Sequence, residues 1–183
     1  MGSPSVASCL RSGVLAALLA LCVVPGSAAA AGAAACESAE ARPAQVSERI
    51  VIRSTLCVLN AERARRGLRA LHLNPRLSRA ASRHSKDMAR HGYFDHTSQN
   101  GASFVDRIRR TGYLNGARSW KVAENIAWGT AWLASPRAIT KAWMNSPGHR
   151  ANILDASYRE IGIGVASGRG TRALYTTDFG ARG

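Results

Sequence analysis

The chain has 183 residues, 46% hydrophobic and 20% charged, with 25 Lys and Arg against 11 Asp and Glu for a formal charge of +14. Once an N-terminal targeting segment is set aside, about 150 residues remain, enough for one domain with one sizeable core and too few for a second. The charge predicts attraction to anionic surfaces. No basic motif interleaved with aromatics appears, so nucleic acid is not the expected partner.

Residues 1–30 read as a signal peptide, with Arg11, an apolar core from Gly13 to Val24, and small residues around Pro25-Gly26-Ser27-Ala28. That core is shorter than the ~20 residues a membrane-spanning helix needs, so a secreted chain without a transmembrane anchor is expected. Residues 31–45 form an Ala-rich arm that Cys36 ties down, and residues 46–183 form the domain. Cys9 and Cys22 leave with the signal, and two cysteines surviving in an exported chain most often pair. A Cys36–Cys57 disulfide is therefore expected, the alternative being a buried thiol at Cys57 and a mobile one at Cys36.

Ser47 caps a first helix running to Arg66, with Ile52, Leu56 and Leu59 at helical spacing and Gly67 as its stop. Asn74-Pro75 opens a second, whose apolar line is Leu77, Ala80, Ala81, His84 and Met88. His84 thus falls on a buried face, as a core histidine rather than a ligand, while His72 and His91 read as surface residues. Ser103 with Asp106 forms a capping box, Phe104 and Ile108 pair one turn apart, and Gly112 closes a short third helix. Trp120 to Trp128 is either strand or extended loop. Ser135-Pro136 caps a fourth helix presenting Ile139, Ala142 and Trp143 and stopped by Ser146-Pro147-Gly148, which leaves His149 just past a helix end. Ile161, Ile163 and Val165 alternate with small residues, turn at Ser167-Gly168-Arg169-Gly170, and return through Leu174 to Phe179 as an antiparallel hairpin. Helices first and strands last make an α+β fold.

Three segments concentrate the chemistry: Gly92-Tyr93-Phe94-Asp95-His96, Ala123-Glu124-Asn125-Ile126-Ala127, and Trp143-Met144-Asn145-Ser146-Pro147-Gly148-His149-Arg150. Each sets an imidazole or carboxylate beside an aromatic residue or a turn signal. Their separations are too long for one helix face, so only a tertiary fold can bring them together. With Leu59-Asn60-Ala61-Glu62-Arg63, His84-Ser85-Lys86-Asp87-Met88, the run from Ser146 to Leu154, and Ile161-Gly162-Ile163-Gly164-Val165, these segments resemble the CAP superfamily, also called SCP-like, and its bacterial secreted members above all. The resemblance runs from about Val46 to Gly180. It implies a three-layer α-β-α sandwich and a cleft in which two histidines and two glutamates can hold a divalent metal. His96, Glu124 and His149 match three of the four, and Ser146 stands where the second glutamate is usual.

Two imidazoles and one carboxylate still suit zinc in an open three-ligand arrangement, although the missing charge weakens it. Zinc held weakly by His96, Glu124 and His149 is therefore one expectation. The other is a hydrogen-bonded polar cluster, with Glu124 orienting an imidazole and Asn125 satisfying backbone groups. Trp120, Trp128, Trp132 and Trp143 offer either a platform for sugars or lipids or core packing, and for Trp143, spaced helically from Ile139, packing is expected.

Three functional classes follow, one of them an interaction or stress-linked structural protein of the cell envelope whose cleft is a relic. The resemblance implies an extracellular or envelope-associated binding module, monomeric, with an anionic wall polymer, lipid or protein as its partner. The alternative is a peptidase-like hydrolase using the His96/Glu124/His149 cleft. Neither a GxSxG elbow nor an HExxH pair is present, and Ser98 and Ser146 are near the histidines only in sequence, so the reading leans away from an enzyme.

Overall fold

The computed structural model describes residues 36–183. The signal segment, Cys9, Cys22 and the first residues of the arm lie outside the described residues. Five helices and four strands follow in chain order: α1 (Glu48–Ala64), β1 (His72–Leu73), α2 (Pro75–His91), α3 (Phe104–Arg110), β2 (Trp120–Thr130), α4 (Pro136–Asn145), α5 (Pro147–Leu154), β3 (Glu160–Ser167) and β4 (Arg172–Arg182).

The helix starts are those the capping residues dictate. Ser47 accepts from the Ile50 amide, Asn74 from those of Arg76 and Leu77, and Ser103 and Asp106 satisfy each other's backbone reciprocally. Helix α2 ends on Gly92, whose φ of 72° is the left-handed conformation that glycine adopts without steric cost. The buried face of α2 is Leu77, Ala80, Ala81, His84, Ser85 and Met88, in agreement with its apolar line. Ala142 of α4, by contrast, is exposed, and Ile139, Thr140 and Trp143 make that helix's buried face.

The sheet has the order β1-β3-β4-β2, with β1 parallel to β3 and the other pairs antiparallel. The expected hairpin is β3–β4, and the open question at Trp120–Trp128 resolves as an eleven-residue edge strand. Strand β1 went unpredicted because two residues carry no alternation to read.

Alternation across β3 and β4 separates the two faces of the sheet. Ile161, Ile163, Val165, Tyr175 and Phe179 point into the main core with Leu59, Ile139, Trp143 and Ile153 from α1, α4 and α5. Helix α2 packs on the other face. There Gly162 and Gly164 let the helix backbone approach closely: a Cβ at Gly162 would lie 2.0 Å from the Leu77 carbonyl carbon, and one at Gly164 2.3 Å from that of Ala81. The small residues of β3 are the socket for α2, and the three-layer sandwich follows.

Two motif residues prove structural. Asn60 brackets Leu71, donating to its carbonyl at 3.0 Å and accepting from its amide at 2.8 Å. Arg63 is fully buried and donates to the carbonyls of Arg69, Ile153 and Asp155, tying α1 to the end of α5.

The expected disulfide joins Cys36 to Cys57. From Cys36 onward the arm is tied down as expected: Cys36 and Ala39 are buried with Val58, Ser54 donates to the Glu37 carbonyl at 2.7 Å, and the Ala39 carbonyl accepts from the Arg137 amide at 2.9 Å. The bridge spans 21 residues, a loop whose closure stabilises by about 3 kcal/mol in the chain-entropy model. Selective reduction is therefore expected to lower the unfolding free energy by about that amount in parallel denaturant titrations of oxidised and reduced protein. Coincident midpoints would remove the bridge as a stabilising feature.

Among the described residues no helix is long and apolar enough to cross a membrane.

Candidate functional site

The site is organised by the edge strand β2, where consecutive residues face opposite sides of the sheet. Glu124 turns toward the α2–α3 side and Asn125 toward the α5 side. On the first side, His96 in the loop after α2 places Nδ1 2.8 Å from Glu124 Oε1. Arg107 of α3 donates through Nη2 to Glu124 Oε2 at 2.5 Å. The same guanidinium donates through Nη1 to the His96 carbonyl at 2.9 Å, to Ser98 Oγ at 3.0 Å and to the Ala102 carbonyl at 3.1 Å. It thereby fixes the loop that carries His96.

On the other side, Asn125 Nδ2 donates to the His149 carbonyl at 3.1 Å, and Asn152 of α5 donates to Asn125 Oδ1 at 2.8 Å. His149 does not lie past a helix end. Ser146-Pro147 closes α4 and immediately opens α5, because proline at the first helical position loses no hydrogen bond there, and His149 sits in the first turn of α5. Ser146 is the hinge between the two helices and makes no side-chain cap bond.

Strand β2 thus brings the two histidine segments to one edge, close enough for the charges on His96 and His149 to influence each other. Glu124 is buried beneath them, its side chain 1% exposed, while the His96 side chain is 49% exposed. His96 Nε2 has no partner among the described residues.

Two further residues belong to the cluster that motif reading passed over. Asp178 pairs with Glu124 across β2–β4, fully buried and without a hydrogen-bond partner for either carboxyl oxygen. Burial first, and then the adjacent Glu124 charge, raises Asp178 well above the usual carboxylate range. Its signal was available, as the lone acid between Leu174 and Phe179 in the returning strand of the expected hairpin. Arg107 had a weaker one: it falls beside Ile108 on the buried face of a helix too short for a pattern.

The two histidines are driven in opposite directions. The hydrogen bond to Glu124 raises His96 above 6.5, overcoming its partial burial. Burial, and then the His96 charge, lowers His149 below 6.5. His96 therefore stabilises the fold at pH below its unfolded value, and that contribution is lost as pH rises through its higher folded value. His149 disfavours the folded state as pH falls from 6.5 through its lower folded value. Imidazole resonances followed by NMR are expected to give a midpoint above 6.5 for His96 and below it for His149, with Glu124→Gln lowering the His96 midpoint. Equal midpoints, or no response to Glu124→Gln, would break the assignment.

A resident zinc would need the carboxylate as a ligand. Both Glu124 oxygens are already spent, one on His96 and one on Arg107. Among the described residues no group of three or more His, Cys, Asp or Glu side chains is gathered to hold a metal. The residues as arranged form a hydrogen-bonded cluster in which both Glu124 oxygens are engaged. Of the four tryptophans, Trp143 is 1% exposed and donates to the Ile126 carbonyl at 3.0 Å, a core role, whereas Trp120, Trp128 and Trp132 are exposed.

Comparison with known proteins agrees with this architecture. The Bacillus subtilis (strain 168) protein YkwD is 41% identical over 122 residues, covering 66% of this chain and 43% of that protein. The membrane protein YlbC of the same organism is 32% identical over 124 residues, 68% of this chain and 32% of its own. The chain spans less than half the length of these curated relatives. Among solved structures, an extracellular SCP-domain protein of Bacillus anthracis superposes with a TM-score of 0.58 at 27% identity, covering 73% of this chain and 43% of that one. An outer surface protein of Borrelia burgdorferi shares the fold, with a TM-score of 0.64 at 18% identity over 75% of this chain and 97% of its own. The cysteine-rich secretory protein family profile matches residues 56–179, the span that holds the sandwich, the β2 cluster and both histidine segments, and the chain belongs to that CAP family.

Proposed function

We propose that this chain is a secreted binding module of the extracellular space or cell envelope, presenting His96 and His149 at the β2 edge to an anionic wall polymer. The observation that carries the reading is the spent carboxylate. With Glu124 neutralised by Arg107 and tied to His96, the site presents imidazole donors at the β2 edge. An imidazolium at His96, favoured by Glu124, is a donor for phosphate or carboxylate. The chain's formal charge of +14 favours the same class of ligand. Secretion is supported by the signal-like N-terminus and by the disulfide, which needs an oxidising compartment.

The hydrolase reading keeps one specific observation in its favour. A histidine bonded to a buried carboxylate through Nδ1, with Nε2 open, is the arrangement of a general base. Sedimentation with purified cell walls separates the two. Binding that His96→Ala and His149→Ala each weaken about tenfold, at unchanged melting temperature, supports the module. Release of wall fragments that His96→Ala abolishes supports the hydrolase. Wall binding indifferent to both substitutions overturns the cleft reading altogether.

A further inference from the structure

An asparagine can react with its own backbone. The amide nitrogen of the following residue attacks the side-chain carboxamide carbon and closes a five-membered succinimide, provided that nitrogen is unshielded and free to lose its proton. Glycine in the following position removes the side chain that would shield it. The chain holds two Asn-Gly dipeptides, Asn100-Gly101 and Asn115-Gly116. Both glycines have positive φ, 80° and 74°, and a Cβ at either would meet nothing within 4 Å. Sequence and local space therefore do not separate the two.

Hydrogen bonding does. The Gly101 amide donates to the Ser98 carbonyl at 2.8 Å, and Asn100 Oδ1 accepts from the Ala102 amide at 3.1 Å. Arg107 holds the same loop through Ser98 Oγ and the Ala102 carbonyl. Reaction at Asn100 must first break the bond of its nucleophile and turn its carboxamide away from Ala102, and both costs add to the barrier. Among the described residues the Gly116 amide donates to no carbonyl. Asn115 is partly exposed and Gly116 exposed, so that amide is left to water, the base that can take its proton. The loop is pinned on either side of the pair, where the Tyr113 carbonyl accepts from Arg182 at 3.0 Å and the Arg118 amide donates to the Gly183 carbonyl at 2.8 Å.

The remaining asparagines are held off in other ways. Asn74 precedes Pro75, which has no N–H to lose. The carboxamides of Asn60, Asn125 and Asn152 are tied by hydrogen bonds within α1, β2 and α5. After Asn145, the Ser146 amide donates to the Trp143 carbonyl at 3.1 Å.

We propose that Asn115 is a site of spontaneous deamidation. The Gly116 nitrogen gives its proton to solvent and bonds to Asn115 Cγ, the Cγ–Nδ2 bond breaks, and Nδ2 leaves as ammonia after taking a proton from water. Water then opens the succinimide at one of its two carbonyls. One opening gives aspartate on the original backbone, and the other gives isoaspartate, whose main chain runs through the former side chain and is longer by one carbon. No oxidant or reductant takes part. Either product adds a carboxylate and lowers the formal charge of +14 by one, in the loop that leads into β2. The reaction does not depend on what the β2 edge binds.

The test incubates the whole purified protein at neutral pH, native and in parallel unfolded in urea, and follows both dipeptides by mass spectrometry. Trypsin separates them, since cleavage after Arg90, Arg107, Arg110 and Arg118 releases residues 91–107 and 111–118 as different peptides. In the native protein the Asn115 peptide is expected to gain the mass of an NH₂-to-OH exchange about tenfold faster than the Asn100 peptide, and in urea the two rates should converge. Asn115→Gln should remove the main acidic species that ion exchange resolves in aged protein, because its ring closure is slower. Equal native rates, a faster Asn100, or a native difference that survives in urea overturns the assignment. So does an acidic species that forms undiminished in Asn115→Gln.

Discussion

Arg107→Ala is expected to destabilise the domain by about 3–5 kcal/mol, the cost of leaving one partner of a buried ion pair without the other. The Glu124 side chain is 1% exposed, and Asp178 sits beside it without a partner. Removing the guanidinium leaves the carboxylate to share a dry site with a second acid. It also frees three acceptors that hold the His96 loop: the carbonyls of His96 and Ala102 and the Ser98 hydroxyl. Denaturant unfolding measures the loss, and a double-mutant cycle with Glu124→Gln locates it. The amide should recover part of the stability in the Arg107→Ala background, because an uncharged side chain no longer demands a counterion. A loss below about 1 kcal/mol would mean that water reaches Glu124 and that the ion pair behaves as a surface pair.

Trp143→Ala is the second large effect, again about 3–5 kcal/mol, for a different reason. The indole is 1% exposed, meets Tyr175 edge-on at 6.4 Å between ring centroids, and bonds the Ile126 carbonyl of β2. Truncation opens a cavity between α4 and the sheet and strips a buried carbonyl of its donor. Because Ile126 is two residues from Glu124, the β2 edge should loosen along with the core. Unchanged melting with lost ligand binding would instead make Trp143 a binding residue.

The fold was largely legible. Ser47, Asn74-Pro75, Ser103 with Asp106, and Ser135-Pro136 act through atoms within three residues of themselves, so their helices could be read without knowing what surrounds them. The same locality misled at Ser146-Pro147-Gly148. Proline ends one helix and begins the next with equal ease, and the choice at His149 rests on Asn125, which donates to the His149 carbonyl, is itself held by Asn152, and reaches that helix only through the tertiary fold.

The sequence by itself determined the family, the disulfide partners, the alternation of β3 with its glycines, and the segments that carry His96 and His149. These depend on local propensity, on period, or on a count of cysteines. Only the tertiary structure decided what Glu124 does. A carboxylate's role is set by its partners, and both of these, His96 and Arg107, lie far away in the chain on a loop and a short helix. An arginine at position 107 and an acid at position 178 carry no mark of proximity to Glu124 until β2 pairs with β4 and α3 lies over that face of the sheet. Electrostatic energies depend on distance through space and on exclusion of water. Neither quantity is written along a chain, and so Glu124's part as the buried anchor of His96 appeared only when the chain was folded.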